Sequence, residues 1–249
     1  VNPFYFGTKA HRLFGAYDPP QGAGGRGVVI CHPWAREYLL AYTTLRHLAR
    51  QLAARGFHAL RFDYTGTGDS AGDESDAGQE RWLADIGLAI DELKDVGRVA
   101  QVGLVGMRYG AALAAQAAAA RKDVNRLVLW DPVFDGPAYL EQLGVRPGIH
   151  ATGVPVDVKG ETLVPRLRGD LEALGPGSFG PGLPRTLVLD TTGRPGACEP
   201  LRARLAATGA DCALEEIPDV QVWKKEWGGS GEGVGMAVAA VNRILEWLA

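Results

Sequence analysis

The residues that invite a chemical reading are Gly106-Met107-Arg108-Tyr109-Gly110, set between the apolar run AQVGLV (100–105) and an alanine-rich stretch. A glycine two positions to either side of a central residue is the spacing of the sharp strand-to-helix turn G-x-S-x-G, which lifts a nucleophile over a helix N-terminus. Here the tip is Arg108. A guanidinium keeps its proton and offers no acceptor, so it serves neither as base nor as nucleophile. The free N–H groups and dipole at a helix start already favour an anion. An arginine there adds positive charge to positive potential, at a cost of about 0.3–1 kcal/mol if exposed and far more if buried alone. Something negative is therefore expected against Arg108. Two kinds remain open: a carboxylate of the chain (Glu37, Asp63, Asp131 or Glu199), or the carboxylate, phosphate or polarised carbonyl of a ligand.

Other residues with chemical potential fall at the ends of apolar runs. His32 follows RGVVIC (26–31) and is the histidine best placed for acid–base work; its alternative is a structural role. Asp131 ends RLVLW (126–130) and reads as a catalytic carboxylate or as a loop-ordering one. Trp34 and Tyr109 are expected to flank the same pocket and to stack on a ligand or on each other's surroundings. Trp223 reads as a pocket wall or as filler for that corner. Asp63 and Ser70, in DYTGTGDSAG, have short polar side chains suited to closing a turn. The glycines at 66, 68 and 72 lack the G-x-x-x-x-G-K pattern of a phosphate loop.

The elements that must position these residues alternate. PFYF and RLFGAY read as an opening antiparallel hairpin. Strands follow at 26–31, 58–62, 100–105, 126–130, 185–190 and 212–217. Helical periodicity covers about 37–55, 79–94, 110–121, 199–208 and 233–248. That alternation predicts an α/β protein with a mostly parallel central sheet and helices on both faces. Residues 132–184 break the rhythm with a Gly- and Pro-rich stretch, LGPGSFGPGLP, and two weak helices near 137–144 and 161–174. A connection this long tends to be functional. It is read as a cap or lid inserted into a core of 1–131 and 185–249, over the carboxyl ends of the strands where open α/β sheets bind ligands.

In order, VVICHPW, RFDYTGTGDSAG and GLVGMRYGAALAA resemble three motifs of the α/β-hydrolase superfamily, in its serine aminopeptidase-like and esterase-like members. They correspond to the strand that ends beside the oxyanion hole, the D-x-R-G-x-G-x-S turn, and the nucleophile elbow. The arginine elbow is similar to that of the hydrolase-like proteins associated with exosortase systems. The resemblance implies the α/β-hydrolase fold and a Ser-His-Asp triad, and the chain departs from the triad in three places. The tip is arginine; TTGRPGACE follows the late strand where the family carries its acid; PDVQVWKKEW follows the last strand where the family carries its histidine. No histidine occurs beyond His150.

The chain has 249 residues, 46% hydrophobic and 22% charged, with net charge −3. These values predict a soluble globular protein and give no electrostatic reason to expect nucleic acid or a membrane surface. The opening VNPFYFGTK lacks the charged-then-apolar order of a signal peptide. Cys31, Cys198 and Cys212 are too few and scattered for a disulfide framework or zinc site, so a cytoplasmic protein with no metal and no cofactor is expected. Three functions follow. The first is a hydrolase-fold protein with a degenerate triad that binds a small anionic or acyl ligand through Arg108, with Trp34, Tyr109 and Trp223 at the site. The second is an enzyme of other mechanism, a lyase, isomerase, cyclase or atypical hydrolase, using Arg108 for charge stabilisation, His32 as acid or base, and Asp131. The third is a non-catalytic partner protein with a plugged site.

Overall fold

A computed structural model of the chain describes residues 1–22, 24–146, 153–158, 160–224 and 235–249. The start of the expected last helix, at 233–234, lies outside the described residues, as does His150. The chain opens with strands β1 (Asn2–Thr8) and β2 (His11–Asp18), an antiparallel hairpin as expected. Then come β3 (Arg26–Cys31), α1 (Arg36–Ala54), β4 (Phe57–Phe62), α2 (Gln79–Gly97), β5 (Val102–Met107), α3 (Tyr109–Ala119) and β6 (Val124–Trp130). After residues 132–184 follow β9 (Arg185–Asp190), α6 (Glu199–Ala207), β10 (Cys212–Glu216) and α7 (Val238–Leu248).

Among the described residues eight strands form one sheet in the order β1-β2-β4-β3-β5-β6-β9-β10, in which β3, β4, β5, β6, β9 and β10 run parallel to one another. The register explains the apolar runs. Strands β4 and β5 are buried along their whole length because helices cover both faces, so neither face needs polar residues. Leu104 and Val29 face α2 and α3, whereas Val28, Val105 and Trp130 face α1 and α7. The sheet therefore separates two apolar layers, and its carboxyl edge gathers His32, Asp63, Arg108 and Asp131 at the ends of four neighbouring strands.

Within 132–184 lie α4 (Gly136–Gln142), the short antiparallel pair β7 (Val156–Val158) and β8 (Glu161–Leu163), and α5 (Pro165–Glu172). The helix expected over 161–174 begins only at Pro165, because residues 161–163 pair with 156–158. Proline at the first helical position, where no N–H is needed, sets that start. The segment is tied to the core by Asp170, which accepts from the Gln79 amide at 2.7 Å, and by an Arg166–Glu80 ion pair.

Candidate functional site

The turn between β5 and α3 has the geometry its glycines imply. Arg108 sits at φ 55° and ψ −122°, a left-handed conformation that costs a non-glycine residue of order 1–3 kcal/mol. A Cβ on Gly106 would lie 2.5 Å from the Ala111 Cα, and one on Gly110 would lie 2.3 Å from the His32 carbonyl oxygen. The turn is thus held tightly between α3 and the end of β3. Bonds from the Arg108 amide to the Trp130 carbonyl, and from the Val133 amide to the Arg108 carbonyl, fix it against β6.

The Arg108 side chain is 6% exposed. Its Nε donates to Glu37 Oε1 at 3.0 Å, its Nη2 to Gln142 Oε1 at 3.0 Å, and its Nη1 to the Asp131 carbonyl at a long 3.4 Å. The guanidinium lies 3.7 Å from the centre of the Trp223 ring and 5.3 Å from that of Tyr139. Of the four carboxylates expected as partners, Glu37 makes the ion pair. It projects from the first turn of α1, and Tyr139 Oη donates to its other oxygen at 2.8 Å. Burial pushes the Glu37 carboxyl up, against the downward pull of the Arg108 charge and the Tyr139 hydroxyl.

Asp131 stands next to the arginine but its carboxylate faces the other way. It accepts from the Thr191 amide at 2.7 Å, the Thr191 hydroxyl at 2.6 Å and Trp223 Nε1 at 2.8 Å. Burial raises its pKa while these donors oppose the rise. Asp131 therefore orients Trp223, and the indole face carries the guanidinium. Trp223 fills the corner after the last strand and contacts Arg108 directly. Asp63 accepts from Tyr38 Oη and the Asp69 amide, and Ser70 Oγ donates to its carbonyl, the turn-closing role its sequence context implies. Glu199 pairs with Arg202 on the surface of α6.

Three expected site residues stand apart from Arg108. His32 and Trp34 line a different groove. His32 Nδ1 lies 2.6 Å from the Pro33 carbonyl, so that nitrogen carries the hydrogen; burial pushes the imidazole down to about 4 and keeps it neutral. Tyr109, expected at the pocket wall, is wholly buried behind the turn, in a row with Trp82 and Tyr139. Sequence reasoning missed Tyr139 and Gln142, both on α4; an Asp135 side chain that caps this helix, followed by Pro137, was the available signal.

A recess of about 200 Å3 opens outside the guanidinium, lined by Arg108, Val133, Phe134, Tyr139, Gln142 and Arg194 among others. Its lining carries two cations, Arg108 and Arg194, and two acids, Asp131 and Asp135; nearby, burial together with the Arg194 and Arg108 charges pushes the Lys224 ammonium below its ordinary pKa. Among the described residues no group of three His, Cys, Asp or Glu is placed to hold a metal ion, and no helix is long and apolar enough to cross a membrane.

A parallel sheet flanked by helices, with a G-x-x-x-G turn at the end of its central strand, defines an α/β hydrolase. The chain belongs to the family described as serine aminopeptidase, S33, whose model matches residues 26–166. Its fold is similar to that of Est1E from Butyrivibrio proteoclasticus, solved with ferulic acid bound, at 19% identity and a TM-score of 0.73 over 98% of this chain and 97% of that one. It is also similar to the bottromycin epimerase BotH in complex with bottromycin A2, at 19% identity and a TM-score of 0.65 over the whole of both chains. A serine hydrolase without lid from Xanthomonas campestris matches at 17% identity and a TM-score of 0.63, over 99% of this chain and 93% of that one. A stretch of 70 residues is 41% identical to the bifunctional protein PyrR of Roseiflexus sp. (strain RS-1), covering 26% of this chain; the match spans 38% of the length of that relative.

Proposed function

We propose that this chain is an α/β-hydrolase-fold protein without a working Ser-His-Asp triad, and that it binds a small carboxylate or acyl ligand at Arg108. Residues 132–184 act as the cap over that ligand. The observation that carries the reading is the division of labour around the guanidinium. Glu37 and Trp223 hold the Nε side and one face, while the Nη edge borders a recess and meets only Gln142 and a 3.4 Å bond to a carbonyl. Gln142 is exposed and uncharged. A ligand carboxylate displaces it readily, because a charge-assisted bond to guanidinium is roughly twice as strong as one to a neutral amide. Arg194, in the recess lining, and Lys224, over the Trp223 ring, supply the further positive charge that keeps such a ligand favourable beside Glu37.

Acyl transfer through residue 108 is excluded by the chemistry of arginine. The position after the last strand holds Trp223, and the neighbouring Asp131 spends its carboxylate on that indole. The reading as a lyase, isomerase or cyclase with His32 as acid or base draws no support from the placement of His32 in another groove. That Est1E was solved with ferulic acid, a carboxylic acid, is in keeping with a small acid on this fold. The three cysteines are free thiols, in keeping with a reducing, cytoplasmic setting.

The Glu37–Arg108 pair also favours a second reading, in which the site is plugged and the protein acts as a non-catalytic partner. Calorimetric titration with hexanoate and hexanamide separates the two. The ligand reading expects saturable hexanoate binding that weakens severalfold in Arg194→Ala and strengthens in Gln142→Ala, where the competing amide is gone. A plugged site binds neither compound in any of the three proteins.

A further inference from the structure

A second concavity, of about 460 Å3, lies at the carboxyl edge of the sheet beside β3 and β4. It shares no lining residue with the recess at Arg108. Its walls combine aromatic faces with negative charge. Trp34, Tyr38 and Tyr42 supply the rings, Tyr38 and Tyr42 meeting edge to face at 6.1 Å. Asp63, Glu74 and Glu161 supply the carboxylates. Glu74 and Glu161 form no ion pair with any described residue, and Glu161 is pushed above its ordinary pKa by burial and by the charge of Glu74. Two acids thus line one space, and among the described residues no cation pairs with either.

His32 adds an independent observation. It lines the same groove, its ring stacked on Tyr38 at 3.8 Å, and it is 4% exposed. With the hydrogen on Nδ1, its Nε2 is a bare acceptor, and that atom has no hydrogen-bond partner. Asp63, Glu74, Glu161 and His32 Nε2 thus offer acceptors here, while Tyr38 already donates to Asp63 and Thr67 to the Tyr64 carbonyl, which leaves the Trp34 indole N–H and the Tyr42 hydroxyl as the side-chain donors of the lining. The Arg61 guanidinium lies 5.5 Å from the Tyr42 ring centre and does not line the groove. Tyr42 and Leu39 are 43% and 66% exposed at the rim, so the Tyr42 ring is reachable from solvent, whereas Trp34 is buried and offers the groove only a small part of its surface.

We infer that this groove is a second binding site, for an alkylammonium group carried by a small molecule: the rings of Trp34, Tyr38 and Tyr42 take its cationic and apolar faces, and Glu74 and Glu161 take its N–H donors. An ammonium satisfies both halves of the site at once, since ring faces attract cations and the carboxylates lack a partner. A neutral alcohol satisfies only the apolar half, and an anion meets three like charges.

Calorimetric titration of the whole chain with butylammonium chloride, against butan-1-ol as the neutral isostere, tests this. Butylammonium binds saturably and at least tenfold tighter than butanol, and the Trp34 indole resonance moves in the nuclear magnetic resonance spectrum. Glu161→Gln, at a half-buried position, and Tyr42→Ala, at an exposed one, each weaken it about fivefold. Added salt weakens it further, as screening of partly exposed charges requires. Equal affinity for butanol, affinities within twofold of the parent in both variants, or no saturable binding of butylammonium each overturns the inference.

Discussion

Substitution of Glu37 by glutamine isolates the charge of the buried pair. Both partners are 6% exposed, and a glutamine in the same place still accepts from Arg108 Nε while its amide faces Tyr139 Oη. What disappears is the negative charge, leaving Arg108 buried between Trp223 and Tyr139 with neutral acceptors alone. Removing one member of a buried pair costs about 3–5 kcal/mol, chiefly as the penalty of the charge left behind. For a chain of this size each kcal/mol lowers Tm by about 2–4 °C, so Glu37→Gln should melt roughly 6–20 °C below the parent. Urea unfolding followed by circular dichroism reads the same loss as free energy. Arg108→Met strands the carboxylate instead, and a carboxylate escapes by taking up a proton. Its folded-state pKa then rises further, the folded state binds more protons than the unfolded one, and stability falls as pH rises. Arg108→Met should therefore be less stable at pH 8 than at pH 5. In the double variant neither charge of the pair remains, so its loss should fall short of the sum of the two singles by at least about 1 kcal/mol. A loss below about 1 kcal/mol in Glu37→Gln, or strict additivity in the double variant, refutes the reasoning.

Three further outcomes follow from the same geometry. His32 is held near 4 when folded, against about 6.5 in the unfolded chain, so its contribution is complete above about pH 6.5 and is lost as pH falls toward 4; at pH 5 this amounts to about 2 kcal/mol. His32→Gln should flatten that decline, and identical pH profiles by urea unfolding would contradict it. Arg108→Ser restores a hydroxyl without a base to activate it, because Trp223 stands in the corner beside it; hydrolysis of p-nitrophenyl acetate should stay at the parent's level, and serine-directed fluorophosphonate should label neither protein at 108. Gly110→Ala drives a Cβ to within 2.3 Å of the His32 oxygen and 2.4 Å of the Cys31 oxygen, both backbone, so unfolding should come about 3 kcal/mol sooner; a neutral outcome would mean the turn is looser than described.

The sheet was legible because its strands are buried on both faces, which leaves continuous apolar runs such as RGVVIC and RTLVLD with sharp ends. The turn at Arg108 was legible because only glycine permits the approaches found at Gly106 and Gly110. The demand for a negative partner followed from the chemistry of arginine, but the choice of Glu37 over Asp63, Asp131 and Glu199 depended on how α1 enters from β3, which no local spacing encodes. Tyr139 and Gln142 escaped notice because α4 is a short helix inside a Gly- and Pro-rich stretch with little periodicity of its own. Tyr109 illustrates the opposite limit. Its position beside the tip suggests a pocket wall, yet the start of α3 turns its side chain inward among Trp82 and Tyr139.

The central claim is that the outer edge of the Arg108 guanidinium is a receptor for a small acid. A crystal structure of the protein grown with hexanoate tests it most directly. The account predicts the carboxylate seated on Nη1 and Nη2, with Gln142 turned away while Glu37 and Trp223 keep their places. Gln142 still bonded to Nη2, with no hexanoate in the recess, would contradict it.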